Sequence, residues 1–384
     1  MFGVAFCRSM DPISFDESWQ ILRGLLPAEL EEWARESGFV QRLRGFESIE
    51  NLTRMLLMHG SGLSLEQTAL RASEHGLGKT TAVALHHRLR CSGPFFERLC
   101  RHVQEGLRRC LRQEAWPQGW KYRVIDATDV SEPGATGSMW KVHYSLRLPE
   151  LSCDHFELTD FRQGETLKRW KIAKDEVILA DRAYSHREAL AKLIALDAHF
   201  VVRLNTGLFP METAEAKPVD LRSVLGDLKV GHPVSWRFWF RHGKSRSAIR
   251  LCAVKKSPEA AAKSQRKARR RAQQDGCELQ EQTLWLADYV LVLTNLEGPH
   301  WPVQTILDLY RCRWQVELAF KRLKSLLQFG HLPKKDPRTA RAWMQMKLLI
   351  ALLIERLLFD AKFIFPWGYD WRKIEPMEGV PGNV

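Results

Sequence analysis

The sequence predicts a mixed α/β fold preceded by a helical N-terminal region. From residue 14 to about 115, apolar residues recur at three- and four-residue spacing, the pattern of amphipathic helices. After residue 120, short apolar runs rich in β-branched and aromatic residues indicate strands, and the later strands alternate with helical segments. The five predicted strands cover residues 121–126, 140–148, 153–161, 175–181 and 199–205. Helices are expected at 165–172 and 187–196.

A second β-rich region follows, at residues 206–300. It contains a predicted hairpin, a basic run and a further strand at 285–296 before a helix begins near residue 301. The mixed sheet therefore reads as a core that is interrupted by a mostly β insertion. This divides the chain into residues 1–118, 119–205, 206–300, 301–364 and a short Pro- and Gly-containing tail, 365–384.

The charge balance favours a polyanionic partner. The 384 residues contain 58 Lys and Arg against 45 Asp and Glu, a net charge of +13, which favours nucleic acid over an acidic membrane surface. The apolar run at 348–354 is too short to span a bilayer, so no membrane association is expected. Eight cysteines without a Cys-x-x-Cys pair suggest reduced thiols and a cytoplasmic protein.

Residues 64–90 have the outline of a helix-turn-helix. One helix is expected to end near Gly76, and the next to carry Arg88 and Arg90 as DNA-contacting residues. A helical hairpin that only packs fits the pattern equally well.

The run from 255 to 271 contains eight Lys or Arg residues. Blocks of like charge are usually solvated arms, but in a basic protein such a run is also suited to phosphate binding. We therefore predict that Arg269, Arg270 and Arg271 contact nucleic acid.

Two of the predicted strands end on an acid, at Asp126 and Asp181. The carboxyl ends of strands are where α/β sheets place their chemistry, although either aspartate could simply begin a turn. A third carboxylate, Glu317, would complete a set of oxygen ligands for two divalent cations, and Mg²⁺ prefers such ligands together with phosphate oxygens. A site of this kind would activate water or a 3′ hydroxyl for attack on a phosphodiester.

Glu317 belongs to a spaced group of functional residue types. Tyr310, Arg313, Glu317 and Lys324 follow the pattern Tyr-x2-Arg-x3-Glu-x6-Lys. On one continuous helix these four side chains would occupy a stripe roughly 60° wide.

These blocks resemble the bacterial insertion-sequence DDE transposases of the IS-four family. The match consists of VIDAT around Asp126, ADRAY around Asp181 and the Tyr-Arg-Glu-Lys pattern, and it covers roughly residues 50 to 360. The resemblance implies a ribonuclease-H-like core in which Asp126, Asp181 and Glu317 bind two Mg²⁺ ions, with Mn²⁺ as a substitute.

The resemblance also implies partners and further roles. Tyr310, Arg313 and Lys324 would hold phosphates of double-stranded DNA at the transposon end, and two copies would assemble on two ends in a nucleoid-associated complex. Some relatives stack an aromatic residue on a flipped base, and the comparable place here is Tyr289 or Trp285, unless both belong to the core. The expected activity is end cleavage and strand transfer. A catalytically inactive DNA-binding derivative and a nuclease without strand transfer remain alternatives.

Overall fold

The structure is a computed structural model. It describes residues 15–43, 46–110, 119–131, 140–148, 150–329, 332 and 336–364. The chain divides into two compact units. The helical unit comprises the described parts of 1–112, 129–140 and 321–368, and the sheet unit those of 113–128 and 141–320.

The described residues of the N-terminal region form six helices, in agreement with the predicted helical region. They are α1 (Phe15–Arg23), α2 (Leu30–Glu36), α3 (Ile49–Gly60), α4 (Leu65–Glu74), α5 (Ala82–Cys91) and α6 (Gly93–Cys110). Polar caps begin several of them: Ser64 forms a capping box with Gln67 at the start of α4, and Thr81 accepts from the N–H of Ala84 at the start of α5.

Seven further helices follow among the described residues after the N-terminal region. They are α7 (Arg187–Ala195), α8 (Leu221–Leu225), α9 (Pro258–Asp275), α10 (Glu281–Leu286), α11 (Val303–Arg311), α12 (Trp314–Leu326) and α13 (Pro337–Ile364). In the described part of the chain, none of the helices has the length and apolar character that crossing a bilayer requires.

The last helix differs from its expected place in the catalytic core. α13 packs against α3, α5 and α6 in the helical unit. The packing on α3 is close, because a Cβ on Gly60 would lie 2.8 Å from side-chain atoms of Met346 and Ile350. The apolar run predicted as a buried helix face is therefore buried against the N-terminal helices.

Within the described ranges, eight strands form one sheet. They are β1 (Lys121–Val130), β2 (Trp140–Leu148), β3 (Ser152–Asp160), β4 (Glu176–Ala180), β5 (His199–Arg203), β6 (Val234–His242), β7 (Ser245–Lys255) and β8 (Tyr289–Thr294). Their order is β3-β2-β1-β4-β5-β8-β7-β6. β1, β4 and β5 are parallel neighbours, and β8, β7 and β6 continue the sheet in antiparallel pairs.

The strands of the expected insertion do not form a sheet of their own. β8 pairs with β5 on one side and with β7 on the other, so the hairpin β6–β7 extends the core sheet. An unpaired β8 would expose a row of backbone N–H and C=O groups, and β7 covers it.

Two local predictions were wrong. The helix expected at 165–172 is only a 3-10 turn, Leu167–Arg169, because Leu167 and Trp170 are buried in the core. The strand expected from 285 begins at Tyr289, and α10 occupies the residues before it.

Candidate active site

Asp126 and Asp181 lie side by side at one end of the parallel strands. β1 and β4 pair in the register Ile125↔Ala180, so the next residue on each strand is an aspartate. Neighbouring strands are about 4.8 Å apart. β1 does not end at residue 126 as expected but continues to Val130. Its parallel pairing with β4 nevertheless stops at Ile125, so both carboxylates emerge at the same edge.

The continuous helix expected across the Tyr-Arg-Glu-Lys pattern is broken. α11 ends at Arg311 and α12 begins at Trp314, so Tyr310 and Arg313 are not on the helix that carries Glu317. Hydrogen bonds to the third preceding residue bridge the break: Arg313 N–H donates to the carbonyl of Tyr310, and Val316 N–H to that of Arg313. This tighter winding keeps Tyr310 and Arg313 together, since side chains three apart eclipse in a 3-10 turn.

Arg313 links two of the three carboxylates. Its Nη1 lies 3.4 Å from Asp126 Oδ2, and its Nη2 forms an ion pair with Glu317 Oε1. The guanidinium also lies beside the ring of Tyr310, whose hydroxyl is 3.5 Å from Asp181 Oδ1. The structure therefore brings Asp126, Asp181, Tyr310, Arg313 and Glu317 into one connected group, which we call the carboxylate cluster.

Burial dominates the electrostatics of this cluster. It raises the pKa of Asp126 to about 7, and the neighbouring Glu165 and Asp181 add to the rise. The N–H of Ala127, which donates to Asp126 Oδ1 at 2.9 Å, acts in the opposite direction. Burial also raises the pKa of Tyr310 to about 12. Burial therefore disfavours the ionised form of Asp126, and a bound cation would stabilise that form.

The donor set fits a divalent metal ion in its chemistry, since all three acids offer the hard oxygen ligands that Mg²⁺ prefers. Within the described ranges, however, no three His, Cys, Asp or Glu side chains are grouped closely enough to hold a metal ion. The reason is Glu317, whose side chain is 57% exposed and pairs with Arg313. Asp126 and Asp181 are adjacent, and Glu317 would have to leave Arg313 to join them.

Sequence reasoning missed three side chains near the cluster. Arg203 follows Val202 on β5, and Val202 pairs with Ala180, so Arg203 is in register with Asp181. Glu165 is close enough to raise the pKa of Asp126 further, and it pairs with Lys141 at 3.4 Å. Arg203 carried no strand-end signal in the sequence, because the predicted strand 199–205 continues past it, whereas the structure ends β5 at Arg203.

Tyr184, the last residue of the ADRAY block, is also part of these surroundings. Its ring is fully buried, and its hydroxyl has no hydrogen-bond partner among the described residues. Burial raises the pKa of this phenol, and the charges of Glu165 and Asp126 add to the rise. Sequence reasoning assigned Tyr184 no role.

Lys324 belongs to the helical unit, because the division between the units falls within α12. Burial lowers the pKa of its amine, and the negative charge of Asp129 opposes that shift. Asp129 lies within β1 and is exposed. It is therefore a neighbour of Lys324.

The predicted helix-turn-helix corresponds to α4 and α5, which pack against each other. Both of its predicted DNA-contacting arginines have partners within the chain. Arg88 donates to the carbonyl oxygen of Arg42 at 2.7 Å and lies over the ring of Phe46. Arg90 lies 3.5 Å from Asp336. These contacts favour packing for Arg88, whereas Arg90 remains exposed.

The basic run forms an ordered helix, α9, with no buried residue. Ser257 caps its start, and Gly276 ends it in the left-handed conformation. Arg269, Arg270 and Arg271 are all exposed. Arg271 lies 3.6 Å from Asp275, one turn further along.

The two aromatic residues considered for base stacking lie against the core. Tyr289 is 2% exposed and belongs to the core cluster of the sheet, which Trp285 contacts. Their ring centroids are 5.0 Å apart. A buried Tyr289 cannot stack on a base without leaving the core, so the packing alternative is favoured for it.

The sheet and its cluster of acids, arginine and tyrosine define a site suited to phosphoryl transfer. Residues 158–354 match the family described as the transposase DDE domain. The chain belongs to this family, and its function is that of an insertion-sequence transposase.

Relatives support the assignment along most of the chain. The InsL protein of insertion sequence element IS186A of Escherichia coli is 32% identical over 342 residues, which are 86% of this chain and 91% of that protein. The transposase of IS421 of Escherichia coli shows 32% identity over 343 residues, with the same coverage.

A solved piggyBac transposase synaptic complex with hairpin DNA is 11% identical with a TM-score of 0.41, covering 94% of this chain and 84% of that one.

Proposed function

We propose that this transposase cleaves the ends of its own insertion sequence and joins the resulting 3′ hydroxyls to target DNA. The observation that carries the proposal is the carboxylate cluster. Two aspartates follow the last paired residues of adjacent parallel strands, and Arg313 connects one of them to a third acid. The sheet around them would be a ribonuclease-H-like core.

Asp126, Asp181 and Glu317 are the residues that would hold divalent metal ions, two Mg²⁺ or in their place Mn²⁺. Bound ions would supply Lewis acidity that activates the attacking oxygen and stabilises the leaving oxygen. The adjacency of Asp126 and Asp181 at one end of β1 and β4 supports this role for them, and Glu317 would exchange its pairing with Arg313 for a metal ligand role.

The basic groups around the acids would bind DNA phosphates. Arg313 offers a forked donor that now neutralises Asp126 and Glu317, and it would be released for a phosphate once those acids take a cation. Tyr310 would orient Asp181 through its hydroxyl. Lys324 would bind a neighbouring phosphate as a point charge.

Double-stranded DNA is the proposed partner, through its transposon ends and its target. A homodimer would assemble on two ends. The helical unit would contribute end recognition through α4 and α5, with Arg90 a better candidate than Arg88 because it is more exposed.

The test is cleavage of a plasmid that carries the gene with its native flanking DNA. With Mg²⁺, the wild type should cut at the element's ends and join pre-cut ends to a second plasmid. Asp126→Asn, Asp181→Asn and Glu317→Gln should each lower cleavage by more than about 100-fold, beyond what loss of a residue supporting a metal ligand costs, while end binding in EDTA persists.

Asp308→Asn is the matched control. Asp308 lies on α11, two residues before Tyr310, and its carboxylate contacts only Gln304 and Arg311 in the described structure. This variant should keep wild-type cleavage. Binding without any Mg²⁺-dependent cleavage would identify an inactive DNA-binding derivative, and cleavage without joining would identify a nuclease.

A further inference from the structure

Helix α9 presents its basic residues on a surface that the active site does not account for. It is 18 residues long, capped at both ends and without a buried residue. A run of like charge that forms a capped helix has defined faces, unlike a disordered arm. The question is which face is turned away from the protein.

Two side chains fix the inner face. Ser264 Oγ accepts from Lys256 Nζ at 2.8 Å, and Gln265 Nε2 donates to Asp288 Oδ1 at 2.8 Å. Both partners lie outside α9, on the segments that flank the helix. The face containing Ser264 and Gln265 is therefore turned toward the sheet unit.

The opposite face is a stripe of four cations. Lys263, Arg266, Lys267 and Arg270 follow i, i+3, i+4, i+7 spacing and fall within roughly 100° of the helix circumference, opposite the inner face. All four are exposed. Arg266, Lys267 and Arg270 have no acidic partner within the described part of the chain. We call these four residues the α9 stripe.

The arginine triplet at the end of the run is not one surface. Arg269 and Arg271 project to opposite flanks of the helix, roughly 160° apart, and only Arg270 belongs to the stripe. Arg271 also pairs with Asp275. Adjacency in the sequence therefore does not place the three arginines on one surface, whereas the three- and four-residue spacing places the four residues of the stripe on one face of the helix.

We propose that the α9 stripe binds the phosphate backbone of duplex DNA as an oriented surface, in the same complex as the active site. This rests on the proposed function for the identity of the partner. The stripe spans seven residues, about 10 Å, or the length of roughly three base pairs. It would contribute affinity without base specificity.

Arg203 is a charged side chain near both α9 and the carboxylate cluster. Burial lowers the pKa of Lys256, the anchor of α9, to about 8, and the positive charge of Arg203 lowers it further. Arg203 also acts on Tyr310 in the carboxylate cluster. Arg203 therefore lies within electrostatic range of both the α9 anchor and the cluster, which is compatible with one DNA partner for both.

The experiment compares two double variants with the same composition change. Arg266→Gln with Arg270→Gln removes two charges from the stripe, and Arg269→Gln with Arg271→Gln removes two from its flanks. Binding to a random duplex is measured in EDTA across salt concentrations. The stripe variant should reduce the magnitude of the negative slope of log K against log salt by up to about 1.8, which is 0.9 per lost phosphate contact. The flank variant should change it by less than half as much.

Equal slope changes in the two variants would overturn the proposal, because they would show an unoriented basic arm. If the stripe variant kept the wild-type slope on DNA but lost binding to anionic vesicles, the stripe would be assigned to a membrane surface, and the proposal would be overturned as well. Ala268→Pro, which keeps every charge but breaks the helix, should lower the slope as the stripe variant does. Wild-type binding by Ala268→Pro would also contradict an oriented surface.

The failure of this inference is distinguishable from failure of the proposed function. Binding in EDTA requires no cleavage, so a face-specific slope can be observed in a catalytically inactive chain. Conversely, Mg²⁺-dependent cleavage with equal slopes would leave the active site intact and remove only the α9 stripe.

Discussion

The two ends of the parallel strands both carry charged side chains, but the groups are arranged differently. Near the N-terminal end, Arg123 on β1 lies 3.1 Å from Asp154 and 3.1 Å from Glu176, and all three side chains are at most 8% exposed. At the opposite end, the carboxylate cluster has contacts of 3.4 and 3.5 Å and an exposed Glu317.

The pairing explains the difference. Arg123 also donates to Ser145 and to the carbonyl oxygen of Lys171, so the buried charge is surrounded by acceptors. Buried charges tolerate removal from water only when they are paired and hydrogen-bonded. The carboxylate cluster instead gathers three acids around one arginine. We infer that the first group serves the fold, whereas the second is the proposed binding site for cations and DNA.

The largest expected effect is a loss of stability when the buried group around Arg123 is broken. Arg123→Met would leave Asp154 and Glu176 buried without their shared partner, at a cost of about 3–5 kcal/mol. Urea unfolding followed by fluorescence should show a lower midpoint. Arg237→Met, which breaks the exposed pair with Glu297, should cost at most about 1 kcal/mol. Equal urea midpoints for the two variants would show that the buried group around Arg123 does not stabilise the fold more than an exposed ion pair does.

A smaller effect is expected at Lys324, which belongs to neither group. Lys324→Ala should lower end-complex stability and cleavage by about 10- to 100-fold, since a hydrogen bond to a charged group contributes about 1.5–3 kcal/mol. The Mg²⁺ midpoint of cleavage should not change. Lys324→Arg should recover part of the loss, because the charge is kept. A shifted Mg²⁺ midpoint with intact end binding would instead place Lys324 at the metal site.

Tyr310→Phe tests the weakest contact of the carboxylate cluster. It removes the hydroxyl that lies 3.5 Å from Asp181 and keeps the buried ring. Loss of one neutral hydrogen bond of about 0.5–1.5 kcal/mol should reduce cleavage by about 2- to 10-fold. Single-turnover cleavage would measure this. A loss as large as that of Asp181→Asn would show that Tyr310 does more than orient the acid.

The smallest expected effect concerns stability at the cluster. Asp126→Asn removes a carboxylate whose charged form is disfavoured by burial, so the free energy of unfolding of this variant should lie within about 1 kcal/mol of the wild-type value. This is the opposite of Arg123→Met and uses the same measurement. Unfolding at a much lower urea concentration would show that Asp126 also supports the fold.

The strand predictions show how far local pattern extends. The five core strands begin within one residue of their expected positions, since apolar β-branched runs are a local property. The helix prediction for 165–172 was wrong, because Leu167 and Trp170 pack into the core of the sheet unit and this tertiary packing outweighs the local helical spacing. The break between α11 and α12 had no sequence signal, and only the hydrogen bonds around Arg313 reveal it.

The sequence by itself determined the residue types and their spacing: acids after strands, the Tyr-Arg-Glu-Lys pattern and the excess of basic charge. Tertiary structure alone decided which of these residues meet. The register of β1, β4 and β5 places Asp126, Asp181 and Arg203 in one row. The continuation of the sheet through β8 and β7, and the packing of α13 on the N-terminal helices, are likewise long-range choices. The physical reason is that strand pairing and helix packing depend on which distant surfaces exclude water together, whereas spacing along the chain constrains only neighbours within a few residues.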